Sequence, residues 1–224
     1  MTPQIVGVIF SRADLQRAFR MRKVPDLFEL RLDRLTKCFA DANAAIERLR
    51  APLIITARHP REGGANHLSG RRRGALLLQF LPRAAFVDVE LRSARPLEFV
   101  LQSAAAQNVR TIVSFHDFEK TPSGPRLDKI ASEARSLGAD IVKIATRTDT
   151  PTQLDRLLDF FNRQRGASAV AVMGMGKLGR VSRLELARRG CPLNYAHLGS
   201  SAAAGQLSVR DLRRAFADIS DAVS

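Results

Sequence analysis

Eight short apolar segments rich in β-branched residues recur along the chain, and a more polar stretch with helical periodicity follows each of them. This alternation favours parallel strand pairing, because every parallel step needs a crossover that a helix supplies. We therefore predict one domain, residues 1–224, folded as a closed α/β (β/α)8 TIM barrel. An open doubly wound sheet is the alternative, although no GxGxxG turn follows the first segment. The predicted strands are 5–10, 26–33, 52–58, 86–91, 111–118, 140–146, 168–175 and 194–198.

A barrel of this kind carries its catalytic groups at the carboxyl ends of its strands. In the segment 26–33, Glu29, Arg31 and Asp33 alternate with apolar residues. The outer face of a barrel packs beneath helices, so the charged face is expected to point into the barrel. Ionisable residues stand near the same end of most other strands, which predicts a site there: Arg58, Glu90, His116, Asp117 and Lys143.

Lys143 interrupts the apolar run ADIVKIAT, residues 139–146. A buried ammonium is costly unless it is paired or loses its proton. The common explanation is a lysine whose stem packs while its head reaches solvent. Here, however, Val142 and Ile144 flank Lys143, so strand alternation turns it towards the barrel interior. An interior amine that loses its proton can attack a carbonyl and form a Schiff base.

His116 lies one predicted strand earlier, in SFHDFEKTPS. A histidine at a strand end is commonly satisfied by backbone groups, which is the simpler interpretation. Adjacent barrel strands nevertheless bring their side chains to one rim, where an imidazole beside a Schiff-base lysine is an acid–base catalyst. The remaining histidines lie in loop-like sequence or near the last strand. No spacing typical of metal ligands occurs, so no metal site is expected.

The charge balance is strongly basic, with a formal net charge of +14. The run RRR at 71–73 would fit a phosphate-binding patch, but the arginines are dispersed and the chain has one Tyr and no Trp for base stacking. No nucleic-acid partner is therefore expected, although a basic non-catalytic binding protein remains an alternative. No apolar run approaches the ~20 residues of a membrane span. The start lacks the features of a secretory signal, and the two cysteines, Cys38 and Cys191, fit a reducing compartment, so a cytoplasmic protein is expected.

Seven motifs resemble, in order, those of the type I 3-dehydroquinate dehydratases, the Schiff-base dehydroquinases of the shikimate pathway. SFHDFEKTP and ADIVKIA are the most specific of them. The family fold is a (β/α)8 barrel, as predicted above from the strand pattern. The matching segments are ELRLD at 29–33, ARHPREGG at 57–64, VDVEL at 87–91, SFHDFEKTP at 114–122, ADIVKIA at 139–145, MGMGKLGRVSR at 173–183 and AAAGQL at 202–207.

The resemblance implies a lyase that dehydrates 3-dehydroquinate without a cofactor or metal. Lys143 would condense with the C3 ketone, His116 would remove the C2 proton and assist loss of the C1 hydroxyl, and Glu62 would orient the histidine. A small-molecule substrate and a homodimer are the implied partners. The implied substrate-binding residues are Glu29, Arg31 and Arg58 at the hydroxyls, Arg183 at the carboxylate, Met173, Met175 and Tyr195 in the pocket wall, and Gln206 and Ala202 in the closing loop.

The closing loop departs from the family, which usually has SAPGQ where this chain has AAAGQ. Ser200 and Ser201 lie just upstream and are candidates to replace the missing hydroxyl. Without such a replacement one substrate hydrogen bond is lost, at a cost of about 1–3 kcal/mol. A weakened or diverged homologue with a modified loop is therefore one alternative. Another Schiff-base barrel enzyme, with aldolase-like chemistry, is a second alternative within the same fold.

Overall fold

The computed structural model describes residues 3–36, 44, 46–164, 166, 169–201 and 203–221. It contains eight strands: β1 Gln4–Ile9, β2 Leu27–Arg31, β3 Leu53–Thr56, β4 Phe86–Glu90, β5 Arg110–Asp117, β6 Ile141–Arg147, β7 Ala169–Met175 and β8 Leu193–His197. Seven α-helices lie in the described ranges: α1 Arg12–Arg20, α2 Gly70–Phe80, α3 Glu98–Ala106, α4 Gly124–Ser136, α5 Pro151–Gln164, α6 Gly179–Arg188 and α7 Val209–Asp221.

All strand pairs are parallel, and the sheet order is β7-β6-β5-β4-β3-β2-β1-β8. From β1 to β7 each strand therefore pairs with its neighbour in sequence, and β8 pairs with β1, while no pairing joins β7 to β8 in the described residues. The sheet curls into a nearly closed barrel, which confirms the predicted fold. All eight predicted strands are present, with bounds that differ by one to two residues at most ends.

Strand alternation decides which side chains face the helices. In β2, Phe28 and Leu30 are fully buried in an apolar cluster with residues of α2. Helix starts also follow local chemistry: Ser11 accepts a hydrogen bond from the Asp14 amide at the start of α1. The sequence also predicts a helix over 41–50; residues 41–43 and 45 of it lie outside the described residues, so that part of the prediction stays open.

The arginine run at 71–73 does not form the three-cation patch that its sequence suggests. Arg73 is buried in α2, where its Nη1 lies 2.9 Å from Glu90 Oε2 and its Nη2 donates to Ser93 Oγ. Arg73 is therefore part of a buried ion pair and is not available to bind phosphate. None of the helices in the described ranges has the length and apolar character that a membrane crossing requires.

Candidate active site

A cavity of about 170 Å³ opens at the carboxyl ends of the strands. It is smaller than the ~300–1,000 Å³ of most ligand pockets, which favours a compact ligand. Of the residues predicted from strand alternation, Asp33, Glu90 and Asp117 do not line this cavity. The fold does bring together here every residue that the family resemblance assigned to the site except Ala202, which lies outside the described residues: Glu29, Arg31, Arg58, Glu62, His116, Lys143, Met173, Met175, Arg183, Tyr195 and Gln206.

Lys143 lies within β6, opposite Ser114 of β5 and Ala171 of β7. Its side chain is 4% exposed, so the explanation of a lysine that reaches bulk solvent is wrong. The Nζ atom lies 2.9 Å from Asp88 Oδ2 and 3.5 Å from Glu29 Oε1. It also lies 4.0 Å from the centroid of the Tyr195 ring. The ammonium is therefore compensated by pairing inside the barrel.

Asp88 is a site residue that the sequence reasoning missed. Both of its carboxylate oxygens accept hydrogen bonds from Arg58, at 3.1 and 2.8 Å, and Oδ2 also accepts from Lys143. A signal was available, because the alternation in FVDVE puts Asp88 on the same inward face as Glu90. Burial alone would raise the pKa of Asp88, but Arg58 and then Lys143 hold it well below its ordinary value.

Substitution of Asp88 by asparagine is expected to destabilise the fold by about 3–5 kcal/mol at pH 7, since two buried cations lose their shared carboxylate. Because the folded-state pKa of Asp88 is depressed, its stabilising contribution is present above about pH 4 and is lost as the pH falls further. The difference in free energy of unfolding between Asp88→Asn and wild type should therefore become smaller at acidic pH. Urea unfolding at several pH values measures it.

Asp128→Asn is the matched control, since Asp128 pairs with Arg163 at 3.2 Å on the surface. Its expected cost is below about 1 kcal/mol. Equal stabilities of the two variants at pH 7 would contradict the importance of the buried pairing.

Glu62 fixes the orientation of His116. Its Oε2 lies 3.0 Å from the His116 backbone nitrogen and 3.0 Å from Nδ1. Burial, together with Arg58 and Lys143, lowers the pKa of His116 well below its ordinary value, so the imidazole is neutral near pH 7. With Glu62 ionised, Nδ1 carries the ring proton and Nε2 is free to act as a base.

A second buried carboxylate, Asp33, holds the loop that carries Glu62. It accepts hydrogen bonds from the Arg58 amide at 3.2 Å and the Ala65 amide at 3.0 Å, so both ends of the loop are bound to it. Arg31 donates to both oxygens of Asp33, each at 2.9 Å, and to the Gly63 carbonyl at 3.1 Å. Arg31 thus lines the cavity but also supports the loop, a role that its sequence pattern does not predict.

Arg183 is a buried cation without a described carboxylate partner. It projects from α6, and its Nη1 donates to the Tyr195 carbonyl at 3.2 Å. The ion pairs of the described residues do not include Arg183, and burial lowers its pKa to about 10. It still carries its charge at neutral pH. A buried, uncompensated guanidinium at a cavity favours binding of an anionic group.

The closing loop packs against the segment between β7 and α6. Gly176 donates its amide to the Ala204 carbonyl at 3.2 Å. At Gly205, with φ +82°, a Cβ would come within 2.8 Å of the Gly179 backbone, so glycine is required there. Ala203 and Gln206 line the cavity, whereas Ser200 and Ser201 are exposed and do not line it. Across the residues described, His, Cys, Asp and Glu form no group suited to hold a metal ion.

Comparisons with known proteins agree with this geometry. The family model for type I 3-dehydroquinase matches residues 10–222. The 3-dehydroquinate dehydratase of Thermococcus onnurineus is 34% identical over 222 residues, covering 97% of this chain and 99% of that protein. The enzyme of the same name from Thermodesulfovibrio yellowstonii is 31% identical over 217 residues, covering 96% and 94%. The crystal structure of 3-dehydroquinate dehydratase from Geobacillus kaustophilus superposes with a TM-score of 0.87 at 27% identity, covering 98% and 91%. The family match thus covers nearly all of the barrel and all but one of the residues that line the cavity.

Proposed function

Because this chain belongs to the type I 3-dehydroquinase family, we propose that its Lys143, His116 and Glu62 carry out the dehydration of 3-dehydroquinate to 3-dehydroshikimate. The enzyme is a lyase of the shikimate pathway. One observation carries the residue assignment: a single cavity holds a buried lysine amine beside a histidine that a carboxylate orients.

The first step is formation of an imine. Lys143 gives up an ammonium proton, and its neutral amine attacks the C3 ketone to form a carbinolamine. The proton that Lys143 gave up returns to the carbinolamine hydroxyl, which leaves as water, and an iminium ion remains on Nζ. Asp88 and Glu29 lie at 2.9 and 3.5 Å from Nζ, and their negative charge stabilises the cationic iminium.

The iminium acidifies the neighbouring C2–H bond. His116 Nε2 takes the C2 proton, and the bonding electrons form an enamine. The enamine then expels the C1 hydroxyl, which leaves as water with a proton returned from His116. Hydrolysis of the resulting iminium consumes one water, releases 3-dehydroshikimate and regenerates the amine of Lys143.

The remaining cavity residues bind the rest of the substrate. Glu29 and Arg58 hold hydroxyl groups, with Arg31 beside them, and Arg183 holds the carboxylate, which its uncompensated charge supports. Met173, Met175 and Tyr195 form the apolar wall, and Gln206 lies on the loop that closes over the substrate.

An absorbance assay tests this proposal, because 3-dehydroshikimate has a conjugated enone that 3-dehydroquinate lacks. The wild-type protein is expected to produce this absorbance from 3-dehydroquinate without added metal or cofactor. Covalent trapping without turnover would instead indicate a diverged homologue with an altered loop. Release of retro-aldol products from sugar phosphates would indicate an aldolase-like reaction.

The proposed working state is a homodimer in the cytoplasm. Phe99 of α3 and Leu78 of α2 are exposed apolar side chains on helices that pack together through Gly74. Each is a candidate for an apolar contact with a second copy. The molar mass of the wild-type protein measured by light scattering distinguishes a dimer from a monomer.

A further inference from the structure

The two carboxylate oxygens of Glu62 have different partners. Oε2 accepts from the backbone and ring of His116, as described above, whereas Oε1 lies 3.1 Å from Arg92 Nε. Arg92 belongs to the short 3-10 turn Leu91–Ser93 that follows β4. Its side chain is 44% exposed, while that of Glu62 is 3% exposed. Arg92 therefore contacts the catalytic carboxylate from the solvent side.

We propose that Arg92 is a positioning residue of this site, which binds the outer oxygen of Glu62 and keeps the carboxylate ionised and turned towards His116. This inference rests on the proposed function, since it assigns Arg92 a role through Glu62. Arg92 does not line the cavity and has no direct role in the chemistry.

The charged groups around Glu62 explain why Arg92 matters. The pKa of Glu62 is raised to about 7: burial is the largest cause and Glu90 also raises it, while Arg58, Arg92 and the His116 amide partly offset the increase. Arg58 is shared, because it also binds Asp88 and lies 3.5 Å from Glu90. In the part of the chain that the structure describes, the ion pair of Arg92 is with Glu62 alone. Four groups face Glu62: Arg58 just after β3, Glu90 at the end of β4, Arg92 in the turn after β4, and His116 in β5. Arg73 in turn pairs with Glu90.

Ionised Glu62 is required for His116 to act as a base. A protonated Glu62 would donate to Nδ1, which would place the ring proton on Nε2. Nε2 would then be unable to accept the C2 proton. Loss of Arg92 is therefore expected to reduce the active fraction at neutral and lower pH, without affecting the amine of Lys143.

The test compares Arg92→Gln, Arg92→Lys and Arg95→Gln in pH profiles of kcat/KM. Arg95 is exposed two residues after the turn Leu91–Ser93, and its replacement serves as the control for loss of one positive charge. Arg92→Gln should raise the apparent pKa of the acidic limb of the kcat/KM profile by roughly 0.5–1 unit. At pH values below that pKa, kcat/KM should be about three- to tenfold lower than in wild type. Arg92→Lys should restore part of the shift, because it keeps the charge but not the geometry of Nε. Arg95→Gln should leave the limb unchanged.

A second measurement is independent of turnover. The His116 amide donates to Glu62 Oε2, so its NMR shift reports the ionisation of Glu62. The titration midpoint should rise in Arg92→Gln and stay in place in Arg95→Gln. An unchanged midpoint in Arg92→Gln, or an equal shift in Arg95→Gln, overturns the role of Arg92. A wild-type protein that forms no 3-dehydroshikimate contradicts the proposed function instead, and the amide titration still decides the role of Arg92.

Discussion

Replacement of Lys143 by alanine is expected to abolish covalent trapping of the substrate and to lower turnover by several orders of magnitude. With wild type, 3-dehydroquinate and borohydride, reduction of the imine should leave a stable adduct on Lys143. The variant has no amine in the cavity, so neither imine nor electron sink can form. Mass spectrometry of the trapped protein and the enone absorbance assay measure the two effects.

Lys129→Ala provides the control, because Lys129 is exposed on α4 and pairs only loosely with Glu133, at 3.9 Å. It should be trapped and should turn over like wild type. Asp88 keeps its two hydrogen bonds to Arg58 in Lys143→Ala, so the barrel is expected to stay folded. A wild-type adduct on a residue other than Lys143, or normal turnover by Lys143→Ala, would remove the basis of the imine mechanism.

Replacement of His116 by alanine has the second largest expected effect, a fall in kcat of about 10²–10⁴-fold. His116 is the group that moves the C2 proton, but Lys143 is held by Asp88 and Glu29 independently of it. The variant should therefore still form the imine. The expected signature is borohydride trapping on Lys143 with little enone product.

His67→Ala is the comparison for this experiment, since His67 is an exposed histidine of the loop that follows Glu62. It should have nearly normal kcat. If His116→Ala lost trapping and turnover together, its role would lie in imine formation or in folding, and the assignment of the C2 proton to His116 would be wrong. Circular dichroism of the variant separates these two explanations.

Much of the architecture follows from local sequence patterns. A period of two within short β-branched runs, with helical stretches between them, predicted all eight strands and the barrel. The same period indicated that Glu29 and Lys143 face inward, as their contact at 3.5 Å confirms. Resemblance to a family added residues that no periodicity identifies, such as Glu62 in its loop and Arg183 on its helix, and the fold brings both to the cavity.

The sequence by itself determined the barrel, the inward face of each strand and the residue types available for the chemistry, because these depend on neighbours a few positions away. Only the tertiary structure decided which charges pair: Lys143 with Asp88, 55 positions apart, Arg73 with Glu90, and Arg92 with Glu62. Periodicity gives the side of a strand on which a residue lies. The position of that residue along the barrel axis depends on strand register. Because ion-pair contacts form at about 3 Å, that position decides which carboxylate each cation contacts.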